Sequence, residues 1–384
     1  MSQSYSPVTK TLHWLTALLI LSAFPLGLLA NNAPFATSDE IATKALLFSL
    51  HKTIGVTAFF TALARILWAL TQTPPADLHP TRRLETFAAH LVHWLLYISM
   101  LLVPLTGWIN HAASTGFAPI WGPFGQSLPL VPKSETVSAL FSAGHWVFTK
   151  ILLASVALHI AGALKHVFID RDETLRRMLP GITAATPATN RSHAPMLAAT
   201  ALYSAAIALG VWLGQPTAQT DPKQLASVNS DWAVTDGTLA LTVIQFGSDV
   251  SGNFNDWTAQ ISFDPATGTG TTDVTVNIAS LSLGSVSAQA LGPDFFDAQT
   301  HPTARFTATI APQGDHFAAT GTLTLKGKEQ PLTLPFTLDI ADGTATMQGK
   351  ATLSRLDFNI GETLPDETTL KFPVAIQITL TATR

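Results

Sequence analysis

Five long apolar runs mark the first half of the chain: residues 12–30, 46–70, 87–109, 140–168 and 194–213. Each has about the 17–25 residues needed to cross a ~30 Å hydrocarbon core, or a few more. The pattern predicts five transmembrane helices. The first reads as a retained span rather than a cleavable signal. It has one nearby base, Lys10, no clear small-residue cleavage site, and further spans after it.

From residue 228 the period changes. Val274, Val276 and Ile278 alternate with polar residues, as do Leu323 and Leu325. The same holds for Leu332, Leu334, Phe336, Leu338 and Ile340, and for Ile376, Ile378 and Leu380. Period two means strands with one buried face. Asp236-Gly237, Gly268-Thr269-Gly270 and Asp342-Gly343 read as turns between them. No strong helical period intervenes, so an antiparallel barrel or sandwich is expected. Segment 180–193 reads as a loop, and 214–227 as a polar linker. The expected organisation is a four-helix transmembrane domain over 1–180. A loop, a fifth tethering helix (about 194–213) and the linker follow over 181–227, then an all-β domain over 228–384.

Composition supports two different halves. Of 384 residues, 12% are charged against 47% hydrophobic, where an ordinary soluble domain has about 25% charged. Residues 1–227 carry net +5 and residues 228–384 net −9, and ten of the 12 His lie in the first half. There is no Cys. That excludes disulfides, thiolate catalysis, Cys-ligated zinc or iron–sulfur clusters, and covalent c-type haem. The overall charge of −4 and the lack of a basic stripe exclude nucleic acid as a partner.

Lys and Arg in short loops set orientation. Segments 1–11, 71–86 and 169–193 hold seven: Lys10, Arg82, Arg83, Arg171, Arg176, Arg177 and Arg191. Segments 31–45 and 110–139 hold two, Lys44 and Lys133. The N-terminus is then cytoplasmic, and the fifth helix delivers the C-terminal domain to the periplasm of a bacterial inner membrane. Arg65, inside a span, is expected to snorkel to the cytoplasmic interface.

Polar residues inside spans are costly and usually functional. His13, His51, His90, His93, His145, His159 and His166 all lie in or at the ends of spans one to four. His145 and His159 are 14 residues apart. At ~1.5 Å and ~100° per residue that is about 21 Å with about 40° of residual rotation. Two His on one face, most of a bilayer apart, are what two stacked haems require. By depth, His13 can meet His159 at an inner haem and His51 can meet His145 at an outer one. His90 and His93, at spacing i, i+3, could serve the inner haem in place of His13 or simply face lipid headgroups. His166 lies seven residues past His159, beside Lys165, where it could hydrogen-bond a quinone carbonyl, relay a proton, or simply face the interface. His79, His111 and His193 read as loop residues without a role.

These residues carry a resemblance. Leu12-His13-Trp14-Leu15, Leu50-His51-Lys52-Thr53-Ile54-Gly55, Ala89-His90-Leu91-Val92-His93 and Pro104-Leu105-Thr106-Gly107-Trp108 occur in order. Leu158-His159, Lys165-His166 and Asp172-Glu173-Thr174-Leu175-Arg176-Arg177-Met178-Leu179-Pro180 follow them. Residues from about 5 to 180 thus resemble the bacterial cytochrome b561 family, four-helix dihaem proteins of the inner membrane. The resemblance implies the same four axial ligands, His13, His51, His145 and His159, two haem b, and quinone as a redox partner. It places His166 near the family's quinone site. Some members are superoxide:quinone oxidoreductases. Such a site would need exposed cations near the outer haem, for which Lys52, Lys133 and Lys150 are the candidates.

In the second half, His301 and His316 are isolated, and no nucleophile has an evident base. The inward apolar residues suit either a solid core or a ligand cavity. The ordered set Phe246-Gly247, Gly252-Asn253-Phe254, Ile261-Ser262-Phe263-Asp264-Pro265 and Asp294-Phe295-Phe296-Asp297-Ala298 resembles the YceI-like family. So do His301-Pro302-Thr303-Ala304-Arg305-Phe306, Gly321-Thr322-Leu323-Thr324-Leu325-Lys326-Gly327 and Ser354-Arg355-Leu356-Asp357-Phe358. That family implies a lipocalin-like antiparallel barrel holding a polyisoprenoid chain. Lys326-Gly327-Lys328 stands where many members carry Arg or His before the Gly. Together the halves predict an oxidoreductase that passes electrons through two b haems to or from quinone, with a tethered periplasmic domain that binds an isoprenoid or quinone lipid. The alternatives are a superoxide:ubiquinone oxidoreductase with a passive barrel, and a membrane-anchored isoprenoid carrier without redox activity. The sequence names no electron donor.

Overall fold

The computed structural model describes residues 2–3, 5–35, 37–114, 118–123, 125–181, 184–185, 192–215 and 224–384. Most of the loop 180–193, Arg191 included, and of the linker 214–227 lies outside the described residues. Two compact units can be distinguished.

The helical unit holds α1 (Pro7–Asn32), α2 (Ser38–Leu70) from residue 46 onward, α3 (Arg83–Ala113), α4 (Glu135–Lys165) and α5 (Ala194–Leu213). All five are long and apolar enough to cross a membrane. The first, second and fourth begin ahead of the apolar runs because their caps lie in flanking polar sequence. Ser6 Oγ accepts from Thr9 N at 3.2 Å ahead of Pro7. Thr37 and Glu40 form a reciprocal capping box at α2. Ser134 accepts from Val137 N at α4. After Lys165 the helix widens into a π turn, His166–Asp170.

α5 packs on α3 and α4. Ala199, Tyr203 and Ala206 join Leu95, Val103, Val147 and Phe148 in one buried cluster. Tyr203 and Ser99 share a short hydrogen bond between their hydroxyls. A Cβ on Gly210 would stand 3.3 Å from the Gly144 Cα, so small residues bring these two backbones together.

The second unit contains one curled antiparallel sheet of ten strands. They are β1 (Ala233–Gln245), β2 (Ser248–Phe254), β3 (Trp257–Asp264), β4 (Thr269–Asn277) and β5 (Leu281–Ser282). Then come β6 (Thr303–Gln313), β7 (His316–Leu325), β8 (Lys328–Ala341), β9 (Thr344–Ser354) and β10 (Pro373–Thr383). The spatial order is β3-β4-β6-β7-β8-β9-β10-β1-β2-β5. Edge strand β3 is met by the segment before β1. Trp232 N donates to Ile261 O, and Ser230 Oγ bonds both backbone groups of Ile261. The sheet therefore curls into a barrel rather than splitting into a sandwich.

Asp342-Gly343 and Lys326-Gly327 both have positive φ at each residue, as two-residue hairpins require. Asp236-Gly237 is not a turn. It lies inside β1 beside a register shift between Thr381 and Ala382, where Thr235 is left over as a bulge. Short turns and α6 (Ser287–Ala290) cover one end of the barrel, around Leu241, Val250, Leu283 and Phe358. Trp232, Phe263, Phe306 and Phe336 fill the other end.

Candidate functional site

Two pairs of histidines from different helices face each other inside the helical unit. The rings of His51 (α2) and His145 (α4) have centroids 6.3 Å apart, with planes at 86°. His51 Nδ1 lies 2.8 Å from Ala23 O on α1, and His145 Nδ1 lies 2.8 Å from Val103 O on α3. A carbonyl can only accept, so each ring carries its proton on Nδ1 and leaves Nε2 bare. The helix groove under each ring is opened by a glycine four residues after the accepting carbonyl, Gly27 and Gly107. A Cβ at either would meet the imidazole at 2.7 or 3.0 Å.

His13 (α1) and His159 (α4) form the second pair, with centroids 6.0 Å apart and planes at 60°. Arg65 turns inward here instead of snorkelling. Its Nη2 donates to His13 Nδ1 at 3.2 Å, and its guanidinium lies 5.5 Å from the Tyr97 ring centre. That bond puts the His13 proton on Nε2, the reverse of the other pair. His93 also reaches this place, its centroid 5.2 Å from that of His159. His90 does not; its Nε2 pairs with Asp77 at 3.0 Å.

His166, in the π turn, joins a residue that the sequence left without a role. His166 Nδ1 and His79 Nε2 both donate to Asp172 Oδ2, at 2.7 and 2.9 Å, and the two rings are parallel. Burial pushes the Asp172 carboxyl up. The hydrogen bonds it accepts from Thr174, His79 and His166 outweigh that and hold it well below the usual carboxylate range. The three donor atoms lie within 4.8 Å of one another and could share a divalent cation. The hydrogen bonds to Asp172 account for the arrangement without one. Lys10 Nζ donates to Leu179 O and Gly181 O, and Trp14 Nε1 to Met178 O, tying α1 to the segment after α4.

Of the three candidate cations, Lys52 stands next to His51 in the chain, and its Nζ lies 3.3 Å from His111 Nδ1. His111 belongs to the last turn of α3 rather than a loop, is buried, and contacts Gln126 Oε1 through Nε2. Lys133 donates to Ser114 O, and Lys150 lies over the Trp146 ring. Near the hairpin of the other unit, Lys326 Nζ donates to Asp294 O and Asn359 O, so lysine supplies a polar contact at that position.

The barrel encloses a cavity of about 270 Å³ lined almost wholly by apolar side chains. One water takes about 30 Å³ of liquid volume, so the inward residues do not fill a solid core.

Residues 4–181 match the family model for prokaryotic cytochrome b561, and residues 229–382 match the model for the YceI-like domain. The chain is a fusion of a cytochrome b561 domain and a YceI-like domain. The b561 domain is 28% identical over 177 residues to "Cytochrome b561 homolog 2" of Escherichia coli (strain K12), covering 46% of this chain and 92% of that protein. It is 26% identical over 182 residues to "Probable superoxide oxidase CybB" of Yersinia pestis, covering 47% and 98%. The YceI-like domain is similar to the crystal structure of Burkholderia cenocepacia BcnA, with 34% identity, 38% of this chain and 96% of that one covered, and a TM-score of 0.37. The b561 family implies b-type haem and electron transfer in a membrane; the YceI-like family implies isoprenoid binding.

The histidines of the b561 domain fit such a group. Two metal–imidazole bonds of about 2 Å each, plus the distance from nitrogen to ring centre on both sides, come to about 6 Å between centroids. Nδ1–H donation to a backbone carbonyl is the usual way a metal-binding imidazole is oriented. His51 and His145 meet both requirements. His13 and His159 meet the spacing, and His13 Nε2 becomes available once Arg65 releases Nδ1.

Proposed function

We propose that the b561 domain carries single electrons through two b haems, one held by His51 and His145 and the other by His13 and His159, to or from a quinone. The YceI-like barrel binds the isoprenoid tail of such a lipid. The observation that carries this reading is the pair of interhelical histidine spacings, 6.3 and 6.0 Å. Haem iron between two imidazoles has no open site for dioxygen and exchanges electrons instead. The Lys and Arg distribution supports a cytoplasmic N-terminus in a bacterial inner membrane, with the barrel in the periplasm.

His166 is the residue we assign to the quinone. Its Nδ1–H is held by Asp172, so a proton taken up on Nε2 gives an imidazolium that can donate to a quinone oxygen and pass it that proton. Reducing a quinone to a quinol takes two electrons and two protons, and His79 on the same carboxylate offers a second proton carrier. The test is a pyridine haemochrome assay with a reduced-minus-oxidised spectrum on the purified chain. Two b haems per chain are expected; fewer would sink the reading, and haem-free protein would favour an anchored lipid carrier.

One observation favours a particular electron donor. Lys52 follows His51 in the chain, with its Nζ 3.3 Å from His111 Nδ1, and a relative is named as a probable superoxide oxidase. Two superoxide anions would each give up one electron and leave as dioxygen, while the quinone takes both electrons and two protons. Haem reduction on stopped-flow mixing with superoxide, absent in Lys52→Gln, is the expected result. In this variant of the reading the barrel is a passive addition.

A further inference from the structure

The barrel cavity sorts its possible occupants by head group. Among the described residues, Arg355 is the one charged side chain that lines it. A guanidinium has five N–H donors, and here all five are taken. Nε donates to Lys371 O, Nη1 to Ile360 O and Gly361 O, and Nη2 to Leu370 O and Leu364 O. No donor remains for a phosphate.

Two other polar atoms are in the opposite state. Oε1 of Gln245 and Nε2 of Gln289 are buried and have no hydrogen-bond partner. Gln245 is only 7% exposed. Both side chains line the cavity. Gln245 ends β1 and Gln289 lies on α6, so both flank the cluster around Leu241, Val250, Leu283 and Ala290. At the other end, the indole N–H of Trp232 is satisfied by Phe263 O at 3.0 Å.

Buried polar atoms are normally paired, and leaving one unpaired is costly. Two unpaired atoms among the residues lining one cavity point to an occupant that supplies the partners. Gln245 Oε1 needs a donor, and Gln289 Nε2 needs an acceptor; a hydroxyl is both. We infer that the barrel takes an isoprenoid with a neutral, hydroxyl-bearing head, an alcohol, phenol or quinol, with the hydroxyl at Gln245 and Gln289 and the tail toward Trp232. This rests on the isoprenoid binding proposed above. An oxidised quinone offers acceptors only and leaves Gln245 unpaired. A polyprenyl phosphate brings a charge that nothing in the wall is free to meet. The barrel therefore favours the reduced form of a quinone lipid. A tenfold preference would raise the potential of the bound two-electron couple by about 30 mV.

The test uses three probes with one tail: geranylgeraniol, geranylgeranyl acetate and geranylgeranyl phosphate. Each competes for the purified full-length chain in detergent, and bound lipid is counted by native mass spectrometry. The wild type should prefer the alcohol to the acetate about tenfold, the effect of one buried hydrogen bond left unmade, and take the phosphate least. Gln245→Met keeps the side chain's length without its amide and should erase the preference without weakening acetate binding. Gln289→Leu serves as a second variant if the first fails to fold. Equal binding of alcohol and acetate, or a preference for phosphate, would overturn the head-group assignment while isoprenoid binding stands. Binding of none of the three would remove isoprenoid binding itself.

Discussion

The imidazole of His51 occupies the space that a side chain at Gly27 would need. A Cβ there would come within 2.7 Å of His51 Cε1 and 2.8 Å of Nδ1. The ring is thereby held on Ala23 O, with Nε2 left bare and the ring centre 6.3 Å from that of His145. Gly107 repeats the relation under His145, with slightly more room, at 3.0 Å. Gly27→Ala is therefore expected to displace His51 although alanine favours a helix. The purified variant should hold one b haem per chain instead of two. Gly107→Ala should retain more of the second haem. Haemochrome stoichiometry measures both, and full haem content in Gly27→Ala would show that the close approach is not needed for ligation.

The other pair has a different control. Arg65 lies beside His13, its Nη2 3.2 Å from Nδ1, and a positive charge near that site favours the reduced iron even when Nδ1 no longer accepts from it. Arg65→Gln should lower the midpoint potential of the haem at His13 and His159 by a few tens of millivolts and leave the other almost unchanged. A redox titration resolves the two. His13→Ala should lose that haem and His93→Ala should keep it, which decides between the two histidines facing His159.

The apolar runs and the 14-residue spacing of His145 and His159 made the spans and the depth of the rings readable, because both follow from helix geometry. Three features were not readable. His79 and Asp172 are 93 residues apart and meet only through the tertiary fold. The run of apolar residues stops at 109, so His111 looked like a loop residue, yet α3 continues for two more residues beyond it. Arg65 resembles a snorkelling base in sequence, and only the neighbouring His13 and Tyr97 turn it inward. In the barrel, alternation revealed the strands. The bulge at Thr235 was hidden because the Asp236-Gly237 dipeptide beside it reads as a turn, though both residues pair within the strand.

Arg355 organises the chain around residues 360–371 by donating to five backbone carbonyls from a side chain only 2% exposed. Lysine keeps the charge but has three donors on one atom. Arg355→Lys leaves at least two carbonyls unmet, at about 1–3 kcal/mol each. The barrel should lose about 3 kcal/mol in urea denaturation, while haem content stays at the wild-type level. A loss below about 1 kcal/mol would mean that these carbonyls find other partners.

Asp172 makes the last expectation a matter of pH. Its carboxyl sits well below its ordinary value of 3.8 because bonds from Thr174, His79 and His166 outweigh burial. A depressed folded value means that its stabilising effect is complete above the unfolded value and is lost as pH falls through the folded one. Asp172 therefore stays ionised from pH 8 down to pH 5 and continues to hold His166 by Nδ1. Asp172→Asn removes the charge that strengthens this hold and halves the acceptor oxygens without adding a titrating group. Quinone-linked turnover should fall about tenfold to a hundredfold, by the same factor at pH 6 and pH 8, with both haems retained. His79→Ala leaves the Asp172–His166 bond in place and should cost less. A deficit in Asp172→Asn that disappears at one end of this range would mean that the carboxylate itself titrates during turnover, and would overturn its assignment as a fixed support for His166.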